Sequence, residues 1–261
     1  MHTYKWLAIE TSTDILSLAI ASTQGDKSQV WAHTSQGGVK SSQLVLPEIV
    51  RLMEDAQIRF TDLTAVVFGK GPGSFTGLRT ACSVAQGLAF GAGTFVLPID
   101  TLLAVAEDAR YQSTQQIQHQ THHQQLEQLP EETQRFFVAM DARMDQVYTA
   151  AYEWRSEWQC VQAPSVNSPE NISVPTEWKD LAFTTVGNTW DAFAARWPAE
   201  LSGQHMFAMP TAQALLRLSP VAFGQGLAVQ PEEALPLYIR DKVAQTTQER
   251  AQLKLATTIS T

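Results

Sequence analysis

The segment that most constrains this chain is Gly69-Lys-Gly-Pro-Gly-Ser-Phe-Thr-Gly77, which stands between an apolar strand over 65–68 and a helix over 78–90. Strand, glycine loop and helix in that order belong to an α/β layer in which helices flank a sheet. The backbone N–H groups of such a loop can face an anion at the helix start. Alternatively, the glycines let the chain turn tightly against a neighbour. The spacing is not that of a Walker loop, because Lys70 stands near the start and Ser74 directly follows Gly73. Nor is it the dinucleotide fingerprint, which would need a third glycine at 74. The tight turn is the simpler reading and the phosphate cradle the alternative.

Upstream, 4–9 reads as a buried strand and 16–22 as a second, joined by the polar turn Glu10-Thr-Ser-Thr-Asp14. Gln24 and Gly25 turn the chain into a third strand over 29–33, so a three-stranded meander opens the protein. A helix over 42–56 follows, with Val45, Ile49, Leu52, Met53 and Ala56 at helical spacing and Ser41 or Ser42 as its N-cap. Leu44, Leu46 and Val50 form a second apolar patch, more than a core-facing side requires. Beyond the glycine loop and its helix, 94–99 is a strand, and Asp100 or Thr101 caps a helix through about Tyr111. Order breaks at 112–134, where nine Gln and three of the six His fall among 23 positions, and an exposed, mobile insertion is expected.

Order returns at 136–140, and Asp141-Ala-Arg-Met-Asp145 leads into a strand over 146–152. The two hairpins share one plan: strand, acid, three residues, Asp, strand. That hints at duplicated lobes. A strand over 183–186, a Gly187-Asn188 turn into a helix starting near Thr189, a helix over 211–218 and a polar tail over 241–261 complete the chain. The expected plan is a first lobe over 1–111, completed by about 206–240, and a second lobe over 135–205.

Net charge is −8, from 26 acidic against 18 basic residues, and no Lys/Arg run is long enough to neutralise several phosphates. The chain alone is therefore expected to bind nucleic acid poorly. No signal peptide and no membrane span is read from the sequence, and Cys82 and Cys160 form no CxxC pair, so a cytoplasmic protein with free thiols is expected.

Glu10, Asp14, Asp141 and Asp145 offer the hard oxygen ligands magnesium prefers, although acids in polar turns have a simpler place in solvent. His119, His123 and Glu127 fall at i, i+4 and i+8, but the Gln-rich surroundings supply little apolar contact to hold a metal site rigid. His33 and His205 stand alone.

Four segments now resemble the TsaB (YeaZ) family: Leu7-Ala-Ile-Glu-Thr-Ser-Thr13, the loop from Gly69 to Arg79, Ala85-Gln-Gly-Leu-Ala89 and Met140-Asp-Ala-Arg-Met-Asp-Gln-Val-Tyr148. The similarity covers 4–111 and 135–154. Pro236-Leu-Tyr-Ile-Arg240 is similar to the family's C-terminal motif, 160–230 matches only loosely, and the Gln-rich insertion is a departure. The resemblance implies two ribonuclease H-like lobes of the actin, sugar kinase and Hsp70 superfamily. It further implies partnership with TsaD, the paralogue that transfers threonylcarbamoyl to adenosine 37 of tRNAs reading codons that begin with A, and with the ATPase TsaE. TsaD-like proteins bind a metal through a His-x-x-x-His pair at the start of the first long helix. Ser41-Ser-Gln-Leu-Val-Leu-Pro47 holds no histidine, so a scaffold without catalysis and without metal is expected.

By the same resemblance, helices 43–56 and 74–91 form the surface that docks on TsaD. Its candidates are Val45, Ile49 and Leu52 on the first helix and Gly77, Thr80, Val84, Gly87 and Gly91 on the second. Between Ser74 and Gly93 the only charge is Arg79, and a helix without a polar face must be covered all round. Glu10, Thr11, Gly71, Gly73, Ser74 and Asp141 are candidates for contact with a nucleotide or anion. The isolated chain is expected to hold no cofactor, with a nucleotide only at the partner interface, tRNA reached through the complex, and a homodimer as the form in isolation. The competing reading is a nucleotide-dependent phosphotransferase using Glu10, Asp14 and the glycine loop.

Overall fold

A computed structural model describes residues 3–25, 27–120, 133–201, 203 and 205–240. Two five-stranded sheets form two α/β lobes. In the first, β1 (Thr3–Glu10), β2 (Ile15–Gln24) and β3 (Lys27–Gln36) make the expected antiparallel meander, and β4 (Ala65–Gly71) and β5 (Phe95–Asp100) add in parallel on the other side of β1, giving the order β3-β2-β1-β4-β5. The second lobe repeats this plan. Here β6 (Gln134–Arg143), β7 (Gln146–Trp154) and β8 (Trp158–Asn167) form the meander, while β9 (Thr184–Gly187) and β10 (His205–Phe207) extend β6 in parallel, in the order β10-β9-β6-β7-β8. The hairpin repeat in the sequence thus reflects a repeated topology.

Strand alternation splits the first sheet between two cores. Leu7 and Ile9 face α1 (Ser41–Ala56) and α2 (Phe75–Ala92), while Trp6 and Ala8 face α4 (Ala212–Gly224). The first sheet is therefore covered on one face by a helix from the C-terminal half, while His205–Phe207 pairs in the second sheet. The helix α3 (Thr101–Gln120) joins the lobes: Ala104 belongs to the first lobe's core, and Leu102, Val105, Ala106 and Ala109 pack with Phe136 and Val138 of the second.

Several expectations are corrected. Val45, Ile49 and Leu52 are buried against the first sheet, so they are core residues and cannot reach a partner. The i, i+4, i+7 stripe is the side the sheet covers, which leaves Leu46 and Val50, 47% and 46% exposed, on the outer side. A short 3-10 turn, Gly38–Lys40, precedes α1; Lys40 stands at the N-cap position, and Ser41 is already helical and buried. The helix α3 continues to Gln120, past the expected end near Tyr111, and Ser113 touches Met206. The rest of the Gln-rich segment, with His123 and Glu127, lies outside the described residues, as do the tail 241–261 and the His119 side chain. The helix expected to start near Thr189 does not form; a 3-10 turn at Ala194–Arg196 stands there instead. The strands β8 and β10 were not foreseen.

Candidate functional site

A cleft of about 780 Å³ opens between the lobes. One side is built by the β1–β2 turn and the glycine loop, the other by the β6–β7 turn, and Tyr238 and Arg240 contribute from the C-terminal segment. Of the anion-site candidates, Gly73, Ser74 and Asp141 line the cleft; Glu10, Thr11 and Gly71 are buried and are not among the lining residues.

Three of the loop's N–H groups are engaged within the fold. Gly71 N donates to Thr101 Oγ1 at 3.0 Å and Ser74 N to Ser12 O at 2.8 Å, while Gly77 N reaches Ser74 Oγ, the α2 N-cap, at 3.4 Å. The glycines serve close packing. A Cβ on Gly77 would stand 1.8 Å from Thr11 O, and one on Gly69 would stand 1.9 Å from Glu10 Oε2. Gly77 is buried in this contact and so also leaves the docking set, whereas Thr80 and Val84 are half-buried and Gly87 and Gly91 are exposed with open space around them. The tight-turn reading fits this geometry.

Beneath the loop lies Glu10, 1% exposed, at the end of β1. Its Oε1 accepts from Ser12 N at 2.5 Å, and its Oε2 has no hydrogen-bond partner among the described residues. Loss of solvent pushes its carboxyl from 4.5 up to about 7, against the opposing pull of bonds from Ser12 and Thr11. Burial also raises Asp100, which caps α3 by accepting from Leu102 N at 2.8 Å and Leu103 N at 3.3 Å.

Across the cleft mouth, the other three turn carboxylates, Asp14, Asp141 and Asp145, are divided between two arginines. Arg143 pairs with Asp14 of the first lobe and with Asp141 at 3.2 Å, so a guanidinium lies between the two carboxylates that the magnesium reading would join through a metal. Its own pKa is raised, chiefly by the bond to Asp14. Asp145 pairs with Arg196 instead. The turn itself is uncomfortable: Arg143, Met144 and Asp145 all have φ near +60°, a conformation costing about 1 kcal/mol or more for each non-glycine residue. Two kinds of contact hold it, the Arg143 ion pairs and Arg240, whose Nη2 donates to Ala142 O and Gln146 Oε1 at 2.8 Å each.

Arg240 ends a strap that the sequence flagged only as a motif. Ala234 O accepts from Gln86 Nε2 at 3.1 Å, Leu237 N donates to Lys70 O at 2.6 Å, and Tyr238 Oη accepts from Arg79 Nε at 3.0 Å. The strap therefore ties α2, the glycine loop and the second lobe together. Sequence spacing could not have revealed these long-range contacts, since the partners lie some 90 to 170 positions apart in the chain.

Two repeated lobes around such a cleft define the class of protein, and residues 25–248 match the family model described as "TsaD: tRNA N6-adenosine threonylcarbamoyltransferase". Among solved structures, YeaZ from Pseudomonas aeruginosa is similar at 29% identity with a TM-score of 0.75, covering 90% of this chain and 99% of that one. The tRNA threonylcarbamoyladenosine biosynthesis protein TsaB of Escherichia coli K12 is 30% identical over 247 residues, 91% of this chain and 95% of that protein. Its Haemophilus influenzae counterpart is 30% identical over 259 residues, 93% and 96% of the two chains. The chain belongs to the TsaB family. No helix among the described residues is long and apolar enough to cross a membrane.

Proposed function

We propose that the chain serves tRNA threonylcarbamoyladenosine biosynthesis as a non-catalytic scaffold. It works with TsaD and TsaE, meets tRNA only within their complex, and docks on TsaD through the outer face of α1 and α2. The observation that carries this is the outer side of α2. Arg79 is its only charge, yet Thr80, Gly87, Phe90 and Gly91 lie on its outer side, with Phe90 79% exposed and nothing within 4 Å of a Cβ built on Gly87 or Gly91, while Val84 is half-buried against the first lobe's core. Leu46 and Val50 of α1 add exposed apolar surface on the same layer, where the two helices touch. Small residues let a partner helix approach closely, and two helices of this length supply much of the roughly 800 Å² per partner typical of stable interfaces. Exposed apolar surface of this kind marks an interaction site.

The engagement of the Gly71, Ser74 and Gly77 N–H groups within the fold, and of Asp14 and Asp141 by Arg143, supports a scaffold over a phosphotransferase. Phosphoryl transfer needs donors and metal ligands that are open to the substrate. On this reading a nucleotide belongs at the partner interface.

Gly87→Glu tests the docking. Open space at Gly87 accommodates the side chain, and glutamate is the better helix former by several tenths of a kcal/mol, so a normally melting protein is expected. A carboxylate buried unpaired in the contact costs several kcal/mol, which should abolish co-elution with TsaD and tRNA modification. Undiminished co-elution would sink the proposal.

A further inference from the structure

One arginine, on the outer face of α2, stands apart from the other arginines among the described residues. Every other arginine among the described residues faces a carboxylate, except Arg240, which is taken up by backbone carbonyls and Gln146. Arg79 faces no carboxylate among the described residues, yet it is held in place. Its guanidinium carbon lies 3.9 Å from the Phe75 ring centroid, and its Nε donates to Tyr238 Oη at 3.0 Å. The Phe75 and Tyr238 rings in turn contact each other, with centroids 5.3 Å apart. These contacts use one face of the guanidinium and its Nε edge. The two terminal nitrogens have no acceptor among the described residues.

Arg79 is exposed, and the exposed positions 76, 79, 83, 87 and 90 follow one another at spacings of three and four along a single side of the helix. It therefore belongs to the side assigned to docking. An arginine positioned by its two contacts with Phe75 and Tyr238, with both terminal donors open, matches a planar two-oxygen acceptor, which it can grip through two parallel bonds. Holding the fork in place beforehand lowers the ordering cost of that grip.

We propose that Arg79 is the charged anchor of the α1–α2 docking face and takes a carboxylate side chain of the partner protein in a bidentate pair. This rests on the docking reading above. A protein carboxylate fits better than a nucleic-acid phosphate for two reasons. The chain carries a net charge of −8, which repels a polyanion. A single guanidinium neutralises one phosphate, whereas nucleic-acid affinity comes from neutralising many. An acidic side chain set among apolar residues of a partner meets neither obstacle. Tyr238 is a positioning residue for Arg79.

Isothermal titration of TsaD from the same organism into the full chain tests this, at two salt concentrations, with melting temperatures recorded alongside. Arg79→Gln is expected to weaken Kd by roughly thirty-fold or more and to flatten its salt dependence, with the melting temperature unchanged. Arg79→Lys should recover only part of the affinity, because it keeps the charge and loses the fork. Tyr238→Phe should weaken binding less, by releasing Nε. Wild-type binding abolished by Gly87→Glu but untouched by Arg79→Gln would overturn the anchor alone. A wild type that does not bind TsaD would overturn the docking reading and the anchor together. An unchanged Kd for TsaD, with weaker tRNA binding by the assembled complex, would make the acceptor a phosphate and overturn the carboxylate.

Discussion

Glu10→Gln isolates what it costs to keep an acid beneath the glycine loop. The carboxyl titrates at about 7 in the folded protein against 4.5 in a free chain, because burial disfavours the anion. The folded state therefore holds a proton that the unfolded state has released between those two values. For an acid raised in this way, stability is greatest below 4.5, falls as pH climbs through the window, and levels off above about 7. A displacement of that size corresponds to roughly 3 kcal/mol at full ionisation. Glutamine keeps the Oε1 acceptor for Ser12 N and replaces the partnerless Oε2 with a neutral amide. Near pH 4 the two proteins should be about equally stable. By pH 8 the glutamine variant should be the more stable, by up to roughly 3 kcal/mol.

Urea unfolding of both proteins at half-unit pH steps from 4 to 8.5, with m-values compared, measures the difference directly. Asp100, also raised by burial, titrates in both proteins and drops out of the comparison. Stability curves that run parallel across the range would refute the argument. So would a glutamine variant that is the less stable at pH 8, since that would mean the anion is stabilised by its surroundings.

Gly77→Ala should destabilise the first lobe by about 3 kcal/mol, at the upper end of overpacking costs, because the added carbon meets the Thr11 carbonyl rather than a side chain that can move; a thermal melt within a degree of wild type would contradict the contact. Glu107, 2% exposed, accepts from Arg110 Nε at 2.9 Å, Arg217 Nε at 2.8 Å and Trp158 Nε1 at 3.1 Å, joining α3 to α4 and β8. Its removal in Glu107→Ala should cost about 2 to 3 kcal/mol, somewhat below the value for a fully buried pair because both arginines are partly solvated. Denaturant midpoints check this, and a neutral result would mean that water replaces the carboxylate without loss.

Local pattern carried much of the architecture. The apolar runs at 4–9 and 16–22, the turn residues at 24 and 25, and the strand, glycine loop and helix from 65 onward all sit where the sequence puts them, because apolar runs, turn chemistry and helical periodicity are properties of a few neighbouring residues. The absence of charge along α2 is equally legible in one dimension. The weaker elements were missed: β8 mixes polar and apolar residues, β10 has three, and both exist because β7 and β9 offer edges to pair with. Side was harder still. Periodicity gave α1 two apolar patches, and only the sheet decided that Val45, Ile49 and Leu52 go under it while Leu46 and Val50 remain outside. The same holds for charge. Glu10 and Asp14 look alike in the sequence, four positions apart in one polar turn, yet the glycine loop closes over Glu10 and holds it near neutrality, while Asp14 reaches Arg143 across 129 positions of chain. The sequence determined which groups were available, and the packing of two lobes around a cleft determined which lost water and which met an opposite charge, since solvation and Coulomb energies depend on distances in space.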